Sequence, residues 1–131
     1  MARTIINETL IPRDTGVDTA AAGVYQTGDN TNGMYCNVGV TGAKKKAGTL
    51  MLHVKNTNAA ARTVTLKAGS GGDVGPALRS ALGDLVVTVA LTSGEQLIVI
   101  TDEARFKQTD GTINVDISGA NVTVAAFRRA A

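Results

Sequence analysis

The sequence predicts an all-β chain, an antiparallel and jelly-roll-like β-sandwich preceded by an irregular arm. Three observations predict it. Val and Thr together make up 31 of 131 residues, and β-branched side chains fit a pleated, half-buried surface better than a helix. Apolar/polar alternation of period two recurs along the chain, at a spacing of about 8 to 15 residues with turn chemistry between the runs. The length suits one domain with one core.

Residues 1–33 carry no sustained period. Asp14-Thr-Gly, Ala20-Ala-Ala-Gly23 and Gly28-Asp-Asn-Thr-Asn-Gly33 interrupt them repeatedly, so this part reads as an arm with one or two short strands, and residues 34–131 as the sandwich domain. In Met34-Tyr-Cys-Asn-Val38 the cysteine is in phase with Val38, which makes Cys36 a small buried apolar residue. Leu50, Leu52 and Val54 share one strand face, and Met51, His53 and Lys55 the other. Asn56-Thr-Asn-Ala then turns the chain, as a hairpin or a corner, into Val64 and Leu66, which alternate with Thr63, Thr65 and Lys67. Ala68-Gly-Ser-Gly-Gly-Asp73 is a flexible crossover. At most one short helix follows near 76–82, with Pro76 at its first position and Gly83 at its end.

Leu85, Val87 and Val89 form the next strand, and Leu97 and Val99 the one after the Ser93-Gly94 turn. Their other-face neighbours Val86, Ile98 and Ile100 are also apolar, so both strands are expected to be buried on both faces. Ala104 and Phe106 alternate with Arg105 and Lys107 before Asp110-Gly111, and Ile113, Val115 and Ile117 follow, a pattern that predicts a type I′ hairpin. Val122 and Val124 close the sandwich. The predicted core is Leu50, Leu52, Val54, Val64, Leu66, Leu85, Val87, Val89, Leu97, Val99, Phe106, Ile113, Val115, Ile117, Val122 and Val124. It is short of large side chains, which favours further burial by association.

Composition removes several functional classes. With 44% hydrophobic and 18% charged residues the chain is too apolar for disorder. One cysteine excludes an intrachain disulfide framework, and one cysteine with one histidine leaves too few ligands for structural zinc. The longest apolar stretch, Leu85 to Leu91 broken by Thr88, is far short of a membrane span. Glu8 interrupts what a secretory signal would need, so synthesis in the cytoplasm is expected. Thirteen basic against eleven acidic residues give +2, mostly spread singly. Only Lys44-Lys45-Lys46 and Arg128-Arg129 cluster, which is no basic stripe, and two Tyr with two Phe offer little for base stacking.

No catalytic constellation emerges. His53, the sole imidazole, sits on an outward strand position and has no nucleophile paired with it by motif. Asp102 and Glu103 are neighbours that would point apart in a strand. Gly69-Ser-Gly-Gly has Val74 where a dinucleotide fingerprint needs Gly, and no Walker lysine follows. Asp29-Asn-Thr-Asn-Gly33 departs from a calcium loop in its glycine position and in Val40 at the twelfth place. Zero Trp argues against a carbohydrate platform. The expectation is a non-enzyme with no cofactor, no metal and no small-molecule substrate.

Four phrases carry a resemblance: Asn56-Thr-Asn-Ala-Ala-Ala-Arg-Thr-Val-Thr-Leu-Lys-Ala-Gly69, Gly83-Asp-Leu-Val-Val-Thr-Val89, Ala104-Arg-Phe-Lys-Gln-Thr-Asp-Gly-Thr-Ile-Asn-Val-Asp-Ile117 and Val124-Ala-Ala-Phe-Arg128. Across Asn56 to Arg128 the chain resembles capsid decoration, or cement, proteins of tailed bacteriophages, especially those of actinobacterial hosts. The resemblance implies a β-sandwich on the capsid exterior of the virion that clamps neighbouring subunits of the phage major capsid protein. It also implies a symmetric homo-oligomer, a trimer being favoured. A tail-tube or head-completion component is the alternative. The arm and the lysine loop lie outside the resemblance. The expected interface is the arm, through Arg3, Ile5, Ile6, Leu10, Ile11 and Arg13, and second the loop of Lys44, Lys45 and Lys46, because an extended segment can add to a partner's sheet edge.

Overall fold

The computed structural model describes residues 2–12, 14, 16–38, 48–69, 83–100 and 103–129. The predicted helix near 76–82, the crossover from Ser70 onward, Arg13 and the Lys44–Lys46 loop lie outside the described residues. Ten strands and one helical turn follow in chain order: β1 Thr4–Ile5, β2 Glu8–Ile11, β3 Gln26–Thr27, β4 Met34–Asn37, β5 Thr49–Asn56, β6 Arg62–Leu66, β7 Leu85–Val89, β8 Gly94–Ile100, α1 Glu103–Phe106, β9 Thr112–Ile117 and β10 Val122–Arg129.

The strands form two packed sheets. Sheet I has the order β1-β4-β9-β6-β7; sheet II has the order β2-β10-β5-β8, with β3 also on β10. From β3 onward successive strands alternate between the sheets except for the β6–β7 pair, which stays in sheet I. That path, with β3-β10-β5-β8 facing β4-β9-β6-β7, is the eight-stranded jelly roll the alternation suggested. All of its ladders are antiparallel. The antiparallel expectation needs one correction, in the arm. β1 runs parallel to β4 and β2 parallel to β10, so both sheets are mixed. The arm reaches one edge of each sheet in turn, and its direction there is set by its path between them.

Alternation places the core between the sheets. β5 sends Leu50, Leu52 and Val54 inward, β6 sends Val64 and Leu66, β9 sends Ile113, Val115 and Ile117, and β10 sends Val122, Val124 and Ala126. Met34, Cys36 and Val38 join them with no exposed surface, which confirms Cys36 as a buried thiol. The Asn56 turn is a corner, since β5 and β6 belong to different sheets. Asn56 itself is fully buried. Its Nδ2 donates to the carbonyls of Ala60, Val89 and Ala90 at 3.0, 3.2 and 3.1 Å, and its Oδ1 accepts from Asn58 N. A polar residue at an inward position is tolerated because its amide satisfies backbone groups where the chain changes sheet.

Three expectations are overturned. Leu97 and Val99 point outward, and Ile98 and Ile100 enter the core. Four consecutive apolar residues leave the phase of a period-two pattern open, and pairing with β5 decides it by setting Ile98 beside Leu52 and Ile100 beside Leu50. β7 and β8 are not covered on both faces. They are edge strands, with Val86, Leu97 and Val99 each at least half exposed.

The third correction concerns 104–117. Residues 103–106 form a helical turn, not a strand, and only Lys107 bridges to Ile113. The chain must cross from β8 in sheet II to β9 in sheet I, and a run of good helix formers makes that crossing compactly while Phe106 plugs the core. Gly111 has φ 81° while Asp110 stays in the ordinary region. Gly111 N bonds to Gln108 O and Gln108 N to Thr112 O, so this is a three-residue loop ending on a left-handed glycine, not a type I′ turn. The left-handed pair that a type I′ turn requires occurs instead at Thr92 (φ 47°) and Ser93 (φ 67°), without a glycine at either place.

Candidate docking surface

Among the described residues, the outer face of sheet II carries a partly covered apolar groove. Because β5 alternates, Met51, His53 and Lys55 stand on that face. β10 adds Ala125 and Phe127, and β8 adds Leu97. The end of the 16–25 loop folds over it, and Val24 packs with Ala125 and Phe127 while Ile11, Tyr25 and Met51 close around them. This second apolar cluster lies outside the sandwich core. It explains why Val124-Ala-Ala-Phe127 has no polar alternation: β10 is covered on both faces.

The cover is incomplete. A groove of about 600 Å³ remains between loop and sheet, with Ile11, Val17, Met51, Leu97 and Phe127 as apolar walls and Tyr25, His53 and Lys55 as polar groups. A second concavity of about 430 Å³ is lined by Ala20–Gly23 and Thr123 and shares Thr19, Tyr25 and Lys55 with the groove. Tyr25 thus stands as a post lining both.

That post is fixed by a polar chain. The Tyr25 hydroxyl lies 2.6 Å from His53 Nδ1, and His53 Nε2 lies 2.9 Å from Glu95 Oε1. One ring nitrogen faces the phenol and the other the carboxylate, so all three groups have a hydrogen-bond partner. Lys55 Nζ sits 4.2 Å from the Tyr25 ring centroid, and the ring meets Phe127 edge-on at 6.3 Å, a cation–π contact and an aromatic pair. The chain is a tie that holds the loop to the sheet. Cys36 is sealed in the core, and the described residues contain no group of three or more potential metal ligands.

The residues expected at an interface divide into three groups. Arg3 and Ile6 turn inward to the chain's own sheets. Arg3 Nη1 donates to Asp116 Oδ1 at 2.6 Å and to Met34 O at 3.3 Å, and Ile6 is buried in the core with its N–H bonded to Tyr35 O. Ile11 forms part of the groove wall, while Ile5 and Leu10 are exposed. Arg13 and Lys44, Lys45 and Lys46 lie outside the described residues.

Two further contacts bind the arm down. Glu8 receives Arg128 in a bidentate pair, Nε to Oε2 at 3.0 Å and Nη2 to Oε1 at 2.9 Å, with Arg128 buried. Asp29 accepts the backbone N–H groups of Asn32 and Thr31 and the Thr4 hydroxyl. The Asn32 N–H, then the Thr4 hydroxyl, hold its carboxyl below the usual range. The Asp29–Gly33 segment is therefore a turn that anchors β1.

Sequence reasoning missed Tyr25, Val17 and Phe127. Phe127 was legible in principle from the unbroken apolar run on β10. Tyr25 and Val17 lie among turn residues with no period to mark them. No protein-family model, curated protein or solved structure matches the chain.

Proposed function

We propose that this chain is a non-enzymatic virion protein that binds the outer capsid surface of a tailed bacteriophage and stabilises contacts between major capsid subunits. The resemblance over Asn56 to Arg128 supplies the partner. The geometric observation that carries the reading is the apolar groove on the outer face of sheet II, beside a core that is already complete. The loop buries only part of this apolar face, and what it leaves open, with Leu97 57% exposed, is available to a partner. A protein that binds only the assembled shell stabilises it by mass action, adding burial across subunit junctions that the bare shell lacks.

Particles stripped of this chain should lose heat resistance and regain it on addition of the purified protein. Val17→Glu puts a charge into the groove wall on the loop side, away from the sandwich core, and should abolish both rebinding and rescue. Full rescue by that variant would remove the groove from the proposal. Recovery of the chain with tails at ring-multiple copy number would replace the capsid reading with a tail or head-completion role.

A further inference from the structure

Among the described residues, Arg3, Lys67 and Arg128 are each held by a carboxylate and Arg62 by the Ala120 carbonyl. Lys55 and Arg129 have no such partner, and both belong to the outer face of sheet II. Lys55 lines the groove and the concavity beside it. Arg129 is exposed and takes the outward position on β10 two residues beyond Phe127, next to Ile11. The carboxylate in register with Lys55 is Glu95, its direct partner across β5 and β8, yet Glu95 Oε1 lies 2.9 Å from His53 Nε2. The Lys55 ammonium rests instead 4.2 Å from the Tyr25 ring centroid. The Tyr25–His53–Glu95 chain therefore does more than tie down the loop. It leaves Lys55 without a counter-ion at the edge of an apolar groove.

Register adds the spacing. Arg129 stands in the same cross-strand row as Thr49, and the next two outward rows carry Met51 with Val99 and then His53 with Leu97, before the row of Lys55. Successive outward rows are about 6.6–6.8 Å apart, so the two cations are separated by about 20 Å with apolar side chains between them. Val24 covers the β10 side of this face through Ala125 and Phe127. The β8 side stays open, with Leu97 57% and Val99 50% exposed.

We infer that this trough takes an extended segment of the capsid subunit with the pattern acid-x-apolar-x-apolar-x-acid. An extended chain repeats every two residues at the spacing of the rows, so its alternate side chains fall on all four. Its end acids meet Arg129 and Lys55, and its two apolar residues cover Val99 and Leu97. A basic segment would set like charges against both cations, and a single small anion could reach only one of them. The end pairs are exposed and screened by salt, so they choose the partner while the apolar contacts supply most of the affinity. The inference rests on the docking role of this face and adds the chemistry of what docks there.

The test is selection of a random heptapeptide library on the full-length protein. Fluorescence anisotropy then compares a selected peptide with a counterpart carrying lysine in place of its acids. Acids should be enriched at the first and seventh positions and apolar residues at the third and fifth. Lys55→Glu should weaken the acidic peptide about threefold to tenfold and tighten its lysine counterpart, while Leu97→Ser should weaken both about tenfold. If Lys55→Glu loses the β-sheet circular dichroism signal, Lys55→Met keeps the packing of the stem and should narrow the gap between the two peptides. Absence of enrichment, enrichment of basic peptides, or an acidic peptide indifferent to both Lys55 variants overturns the inference. The capsid reading fails separately. Peptides selected as described, with no binding to capsids, would remove the capsid partner and leave this site. Wild-type rescue of stripped capsids by Lys55→Glu would remove this site and leave the capsid partner.

Discussion

Replacing Ile6 with alanine separates an integral arm from a dangling one. Ile6 is 1% exposed and belongs to the core cluster, while its neighbour Ile5 is 41% exposed on the outer face. Truncating a fully buried isoleucine removes three carbons from a site that adjacent strands cannot refill, at a cost of about 2–5 kcal/mol. For a domain of this length 1 kcal/mol corresponds to roughly 3–4 °C in Tm, so Ile6→Ala should melt roughly 6–20 °C below wild type. Ile5→Ala should stay within about 0.5 kcal/mol, or about 2 °C. Thermal melts followed by circular dichroism, with urea unfolding as a second probe, measure both. Equal, small shifts for the two variants would refute the reasoning, because the arm would then contribute nothing to the sandwich.

Other perturbations address single contacts. Glu8→Gln leaves the buried Arg128 guanidinium without its carboxylate and should cost about 3–5 kcal/mol in urea unfolding, whereas Glu8→Leu with Arg128→Met should recover much of that loss. Asn56→Leu strands the carbonyls of Ala60, Val89 and Ala90 and should cost about 1–3 kcal/mol. Thr92→Asn with Ser93→Gly relieves two non-glycine residues at positive φ and should raise stability by about 1 kcal/mol, read as a higher Tm. The Lys67 ammonium, then the Ala68 N–H, hold the Asp84 carboxyl below the usual range, and Asp84 in turn raises Lys67. The carboxylate's contribution is present above its unfolded pKa of about 3.9 and is lost as pH falls through the lower folded value. The lysine's is present below about 10.4 and is lost as pH rises through its higher folded value. Because the pair is exposed, Asp84→Asn should cost less than about 1 kcal/mol at neutral pH, and the difference from wild type should close in acid.

The jelly roll was legible where one face of a strand is polar. Along Leu50–Lys55 and Ile113–Ile117 the period fixes both the element and its orientation, and the core residues there are those the alternation names. It failed where that contrast vanishes. Leu97-Ile-Val-Ile100 is apolar throughout, so only pairing with β5 could set its phase. Ala104–Lys107 alternates like a strand, yet the need to cross between sheets makes it a helical turn. Asp110-Gly111 carried a hairpin signature whose turn type depended on the strand before it, and that strand does not exist.

The docking surface was less legible than the fold. Its walls come from β2, β5, β8, β10 and the 16–25 loop, which no local pattern links. His53 stood correctly on an outward position, but its partners Tyr25 and Glu95 are 28 residues before it and on the neighbouring strand β8. The arm divides residue by residue. Arg3 and Ile6 are used internally, and Ile5 and Leu10 remain outside, a split that depends on which sheet edge the chain meets.

Cryo-electron microscopy of tailed-bacteriophage capsids mixed with the purified protein tests the proposed role most directly. Jelly-roll density is expected on the shell exterior at junctions of major capsid subunits, with the outer face of sheet II against the shell. Density confined to the tail or the head–tail junction, or shell density seated on the outer face of sheet I, would contradict it.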